Sequence, residues 1–223
     1  MNGREAKDAL NEQFARTAKA IAHPKRLELL DVLAQGERSV DALAAATAAN
    51  VTTTSANLQV LRQSGLVTTR REGVRIIYRL AGPEVDELLA ALRSLAQRQV
   101  AEVERISRTF LEDRDQLEPV SREQLLEQLG QGTVVLIDVR PAEEYAAGHI
   151  PGARSVPLDE LSTRLAELPH DANVVAYCRG PYCVLAPEAV ALLRQHGYNA
   201  RRLSDGMPEW RLAGLPIENS LAA

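Results

Sequence analysis

Cysteine is almost missing from this 223-residue chain, which holds two, Cys178 and Cys183. Two cysteines cannot make a disulfide scaffold, and this pair lacks the CxxC spacing and the histidine partners of a structural zinc site. Long apolar runs are missing too. No stretch approaches the roughly 18 residues that a membrane span needs, so no membrane partner is expected. The opening Met1-Asn2-Gly3-Arg4-Glu5-Ala6-Lys7 has no apolar h-region. No secretory signal is therefore expected, and the cytoplasm is the expected location. No internal repeat and no low-complexity tract breaks the chain.

What is there fits two globular domains of roughly 100 residues each. Hydrophobic residues make up 45% and charged residues 25%, enough for real cores. The net charge of −4 is unevenly spread, because residues 1–100 hold 14 Lys and Arg against 11 Asp and Glu while the remainder is acidic. A basic first half points to a polyanion partner for that half alone.

From Ala6 to about Gly65 the apolar spacing is helical, through Leu27, Leu30, Val32, Leu33, Leu43, Leu58 and Leu61. Pro24 suits a first helical turn, Gly36 a stop, and Ser39 a cap for the helix that follows. A break at Thr47 to Asn50 leads into a further helix, Thr52 to Gln63, closed by Gly65. The period then changes: Leu66 to Arg71 and Val74 to Leu80 are β-branched segments flanking Glu72-Gly73, the pattern of a hairpin. Glu84 to about Phe110 reads as one long helix with Val85, Leu88, Leu89, Leu92, Leu95, Val100, Val103 and Ile106 along a stripe. Dimerisation is the expected use of that stripe and packing on its own domain the alternative. Charged residues Glu112 to Glu118 form a linker. Beyond Pro119 the apolar runs Val134-Ile137 and Val174-Tyr177, each followed by a polar loop and helical sequence, fit buried parallel strands.

Two short helices, a tight turn and a hairpin make a winged helix-turn-helix. Its second helix carries Thr52, Thr53, Thr54, Ser55, Asn57, Gln59 and Arg62, side chains suited to base edges and phosphates in a major groove. The hairpin adds Arg70, Arg71 and Arg75 for phosphates or a minor groove. The alternative gives the Thr and Ser residues to capping and the arginines to solvation of an edge hairpin. Residues 10–100 resemble the ArsR-type winged-helix repressors, through Ala22-His23-Pro24-Lys25-Arg26-Leu27-Glu28-Leu29-Leu30, Ser55 to Val67, and Arg71 to Tyr78. The resemblance implies a homodimer, here through the helix 84–110, that reads double-stranded operator DNA. Asn57 stands where that family usually has histidine. Many members bind metals through cysteines near the first helix of the motif, or through histidine and carboxylates on the last helix. Here Val40 to Thr47 holds no cysteine and Glu84 to Phe110 no histidine, so no metal is expected.

The second half resembles a rhodanese domain over residues 118–220, through Asp138-Val139-Arg140-Pro141, Glu143 to Ala153, and Asp205 to Pro216. The resemblance implies a cysteine that carries sulfane sulfur as a persulfide at the start of a strand-to-helix loop. Cys178 follows Val174-Val175-Ala176-Tyr177 at that place, and Arg179, Gly180, Pro181, Tyr182, Cys183 and Val184 complete a loop of the family's length. A thiolate there, ringed by N–H groups at a helix N-terminus, is expected to have a lowered pKa, with Arg179 as a nearby cation. Gly180 permits an unusual dihedral or is simply a turn residue. Cys183 replaces the arginine that many single-domain rhodaneses place in this loop. It either resolves a persulfide into a bridge or packs at the helix start. His149, Asp138, Arg140 and Trp210 read as structural, His23 as a helix-entry residue, and Arg154 has no assigned role beyond the anion field.

The expected architecture is multidomain: an α+β winged helix-turn-helix with a long dimerisation helix over residues 1–112, a linker at 113–118, and an α/β rhodanese-like domain with a mainly parallel sheet at 119–223. The expected function is a DNA-binding repressor that responds to sulfane sulfur or thiol redox state through the rhodanese cysteine, without a cofactor. Thiosulfate, polysulfide or a persulfide would be the donor. The alternative is a sulfurtransferase working through Cys178 and moving sulfur from thiosulfate or a persulfide, with DNA binding for localisation or autoregulation. Binding of arsenite or another soft ion by the two thiols ranks last, with only two ligands per chain.

Overall fold

A computed structural model describes residues 1–109 and 118–220, so most of the expected linker and the end of the expected long helix, Phe110, lie outside the described residues. The chain divides into two compact units, Met1–Leu88 and Leu89–Ala223.

The first unit opens with α1 (Gly3–Ile21), capped by Asn2 and Glu5 in a reciprocal box. α2 (Pro24–Leu33) starts on Pro24, and the His23 ring nitrogen accepts the Lys25 N–H at 3.2 Å, so His23 is a cap. α3 (Val40–Ala46) follows β1 (Arg38–Ser39), and Ser39 accepts the Ala42 N–H. α4 (Val51–Gln63) begins at Asn50, whose side chain accepts the Thr53 N–H at 2.7 Å. β2 (Val67–Glu72) and β3 (Arg75–Leu80) pair with Glu72 opposite Arg75. The two-residue turn is therefore Gly73-Val74, with Gly73 at φ +59°, a conformation that glycine adopts without strain. β1 adds to β3, giving the order β1-β3-β2. Leu29, Leu30, Leu43, Leu58, Leu61 and Tyr78 are buried at 2% exposure or less.

α5 (Pro83–Gln99) crosses the division between the units. The expected single helix from Glu84 to Phe110 is broken. Val100 leaves helical geometry at φ −114°, ψ 96°, and α6 (Ala101–Ser107) starts after it. No glycine or proline marks the break, so the apolar period ran through it unseen. The apolar stripe divides as well. Val85 and Leu89 are buried, whereas Leu88, Leu92 and Leu95 are exposed.

In the second unit, α7 (Arg122–Gln131) leads to β4 (Val134–Asp138), α8 (Ala142–Ala147), β5 (Arg154–Ser155), α9 (Leu158–Arg164), β6 (Asn173–Tyr177), α10 (Leu185–Gln195), β7 (Asn199–Arg202) and α11 (Met207–Leu212). The sheet order is β5-β4-β6-β7, with every pairing parallel. Both faces are covered, and this explains the unbroken apolar runs. Ile137, Val174 and Ala176 face a core with Val190 and Leu193, while Leu136, Val175 and Tyr177 face one with Leu125 and Trp210. No helix among the described residues is long and apolar enough to cross a membrane.

The Asp138 carboxylate and the Arg140 guanidinium form a fully buried ion pair at the end of β4, 2.6 Å at its shortest, and Arg140 also donates to the Gly148 carbonyl at 2.7 Å. Removing one partner strands the other charge. Asp138→Ala is expected to destabilise this unit by about 3–5 kcal/mol. Trp210 is the chain's single tryptophan, so its fluorescence during urea unfolding reports on this unit alone. An unchanged midpoint would show that the pair contributes nothing.

Candidate functional sites

On α4 the inward stripe is Thr54, Leu58 and Leu61, spaced four and three residues apart. Thr54 is 1% exposed and its hydroxyl is buried without a hydrogen-bond partner. Thr54 therefore leaves the expected DNA-reading set, because the helical period turns it into the core. Thr52, Thr53 and Arg62 are exposed, and Ser55, Asn57 and Gln59 are half-buried. Asn57 bends back to donate to the Thr53 carbonyl at 3.0 Å. On the hairpin, Arg70 is held by two carboxylates. Its Nε donates to Glu37 at 3.1 Å and its Nη1 meets Glu72 at 2.5 Å. The Arg70 guanidinium holds the Glu37 carboxyl below the usual range. Arg71 donates to the Gly73 carbonyl at 3.0 Å, and Arg75 is exposed opposite Glu72. The wing's cations are thus unequal, with Arg70 neutralised in place.

In the second unit β6 ends at Tyr177 and delivers Cys178 into the core, and the loop runs through Arg179, Gly180, Pro181, Tyr182, Cys183 and Val184 to α10. A turn closes it, with the Cys183 N–H donating to the Gly180 carbonyl at 3.1 Å. Cys178 is 3% exposed. Its sulfur faces two carbonyl oxygens, Gly180 at 3.8 Å and Cys183 at 3.9 Å. Burial pushes the Cys178 thiol well up, and the neighbouring Cys183 adds to this against the opposing N–H groups of Ala186 and Gly180. The expectation of a lowered Cys178 pKa is therefore corrected: desolvation outweighs the loop dipoles. The neighbouring Cys183 thiol is lowered to about 7, chiefly through its hydrogen bond with Cys178.

Arg179 is tied to Glu144 of α8, Nη2 to Oε1 at 2.7 Å, with the carboxylate fully buried. The cation expected to steer anions is first of all a partner that anchors the loop to α8. Gly206 seals the other side. A Cβ on Gly206 would overlap the Gly180 nitrogen and Cα and lie 2.5 Å from the Arg179 carbonyl carbon. The Met207 N–H reaches the Cys178 carbonyl at 3.4 Å. Glu209 accepts the Gly206 N–H at 3.1 Å, and burial raises its carboxyl above the usual range. Glu144, Gly206 and Glu209 were not singled out from the sequence. Their role is loop packing, and no spacing rule announces it.

His149 is framework. Its Nδ1 lies 2.9 Å from the Tyr145 carbonyl, its ring stacks on Tyr145 at 3.7 Å, and its backbone pairs with Glu218. Trp210 is 1% exposed and donates to the Pro216 carbonyl at 2.8 Å. Arg154 donates to the Glu167 carbonyl at 3.3 Å.

Residues 23–69 match the family described as "Bacterial regulatory protein, arsR family", and residues 121–213 match the rhodanese-like domain. An HTH-type transcriptional regulator of Mycobacterium tuberculosis is 51% identical over 214 residues, which cover 96% of this chain and 94% of that protein. A sulfurtransferase of Allochromatium vinosum is 39% identical over 85 residues, 38% of this chain and 78% of that one. A biofilm growth-associated repressor of Agrobacterium fabrum is 47% identical over 77 residues, 34% of this chain and 66% of that protein.

The contact at Gly206 is backbone on backbone, so a side chain there cannot be accommodated by a rotamer change. Gly206→Ala is expected to push the loop outward at a cost of about 1–3 kcal/mol. Alkylation of the two thiols should change in rate at least about tenfold while Trp210 fluorescence stays native. An alkylation rate equal to wild type would show that the contact does not hold the loop.

Proposed function

The chain belongs to the ArsR-type transcriptional regulators and carries a rhodanese-like domain, and from that premise we propose that it is a repressor whose operator affinity responds to sulfane sulfur or thiol redox state at Cys178 and Cys183. The observation that carries this reading is the loop itself, which holds two free thiols, Cys178 buried and Cys183 partly exposed, at the end of a parallel strand. They sit in the same chain as a helix whose exposed Thr52, Thr53 and Arg62 suit operator DNA. A persulfide donor and double-stranded DNA are then the two partners. A ligand shifts such an equilibrium only by its differential affinity for the two states.

Operator DNA selected from a random duplex pool gives the test, at fixed salt because phosphate contacts make affinity salt-dependent. Polysulfide should change the dissociation constant of wild type by at least about tenfold, on the scale of ordinary coupling free energies. Cys178→Ser and Cys183→Ser should each lose that response while retaining basal affinity. A donor-independent affinity would reject the reading. Rapid sulfur transfer from thiosulfate to cyanide, without any change at the operator, would favour a sulfurtransferase.

Dimerisation follows from the same reading. Leu88, Leu92 and Leu95 form an exposed apolar stripe on α5, at 38%, 37% and 54% exposure. A second copy covering it gives the paired recognition helices that a palindromic operator needs. The double variant Leu92→Glu and Leu95→Glu should sediment as a monomer and bind operator at least about 100-fold more weakly. A dimer of undiminished stability would place the interface elsewhere.

A further inference from the structure

α5 carries a second stripe beside the exposed leucines. Leu88, Leu92 and Leu95 are exposed, whereas Leu89 is 1% exposed and Arg93 and Ala96 are half-buried. Residues four and three apart share a helix face, so Leu89, Arg93 and Ala96 form the covered side, next to the exposed one. From Leu89 onward α5 belongs to the second unit. Within that unit burial lowers the Arg93 pKa, and the charges that oppose this are those of Glu209 and Tyr182.

Both groups belong to the surroundings of the cysteine loop. Tyr182 is part of the loop, and its hydroxyl is buried without a hydrogen-bond partner among the described residues. Glu209 on α11 accepts the Gly206 N–H at 3.1 Å, and its Oε2 would lie 3.5 Å from a Cβ on Gly180. A guanidinium on a helix face, a loop hydroxyl and a carboxylate packed on the loop backbone thus make one half-buried cluster. Charges in such a place are screened less than charges on the open surface.

We propose that Arg93 is the positioning residue that joins the cysteine loop to α5, so that a change in the chemical state of the loop reaches the stripe of Leu92 and Leu95. This rests on the reading of Cys178 and Cys183 as the responsive thiols, and it names the residue through which the response leaves the loop. Any displacement of Gly180 or Tyr182 alters what the Arg93 guanidinium meets. Arg93 then favours a different setting of α5, and the helix passes that setting along its length as a rigid element.

The full chain is tested against operator DNA selected from a random duplex pool, at fixed salt. The loop thiols are altered in two ways, by polysulfide and by methyl methanethiosulfonate, which caps thiols without supplying sulfane sulfur. Intact mass counts the groups added. In wild type each reagent should change the operator dissociation constant by at least about tenfold. Arg93→Gln should keep the basal affinity and take up the same groups, yet respond by less than about twofold. Arg93→Lys retains the cation and should retain the response. Glu209→Gln, whose amide oxygen still accepts the Gly206 N–H, should lose the response, and the double variant should lose no more than either single one. Native Trp210 fluorescence in each variant excludes misfolding as the cause. A full response in Arg93→Gln would overturn the coupling and leave the functional reading standing. Equal loss in Arg93→Lys would also overturn it, as the mark of a side chain that only packs. A response to methyl methanethiosulfonate that needs Arg93, with none to polysulfide, would keep the coupling and reject the sulfane-sulfur reading. A wild type silent to both reagents, with the groups added, would reject both.

Discussion

Gly206 lies so close to the backbone of Arg179 and Gly180 that even a methyl group has no room between them, and this contact fixes where the loop of the two cysteines sits. From it follows the rest of the site. With Gly206 pressed against Gly180, the chain entering α11 can offer the Met207 N–H to the Cys178 carbonyl, and Glu209 can turn back to hold the Gly206 N–H. On the opposite side Glu144 takes the Arg179 guanidinium. The loop is clamped between two elements remote from it in sequence. That clamp keeps two thiols within hydrogen-bond reach, where a free loop of this length would disperse them at the entropic cost of ordering each residue.

The same logic governs the cations. The chain has 26 Lys and Arg, yet several are occupied by named carboxylates. Arg140 belongs to Asp138, Arg179 to Glu144, and Arg70 to Glu37 and Glu72. A buried pair of this kind is costly to break because the survivor is left charged in a low dielectric. An exposed one such as that of Arg70 is worth little to stability, but it sets the direction of the guanidinium and lowers the local field that a phosphate would feel. The basic character of the first half therefore overstates its reach toward DNA. Arg62 and Arg75 are exposed, and among the described residues neither is held in a carboxylate clamp of that type.

Much of this architecture was legible in the sequence, because local rules and global packing agree in it. The caps at Ser39 and His23, the β-branched hairpin and the unbroken apolar strands each follow from one period or one residue preference, and the structure keeps them. Three features were not legible, for separate reasons. The break at Val100 has no glycine or proline, so periodicity passed over it. Thr54 looked like one of a row of polar side chains, and only the helical phase shared with Leu58 and Leu61 turns it inward. The acidity of Cys183 depends on which way two sulfur atoms face, and that is a tertiary property. Helix dipoles and loop N–H groups suggested a Cys178 thiolate, and complete burial reversed it.

A bridge between the thiols has one advantage over a persulfide on either of them: it gives two discrete covalent states with different backbone constraints. Coupling such a pair to DNA binding is reciprocal, since whatever factor the bridge takes from operator affinity, the operator takes from the tendency to bridge. Moving a population from 1:99 to 99:1 requires about 5.5 kcal/mol. For a two-electron couple, in which 30 mV is about 1.4 kcal/mol, that corresponds to roughly 120 mV between the reduction potentials of the DNA-bound and free protein. Gly206 and Glu144 hold the loop between β6 and α10 from both sides, so a Cys178–Cys183 bond that moved its backbone would press on both contacts. A clamp that rigid turns a local bond into strain on its neighbours instead of absorbing it in the loop.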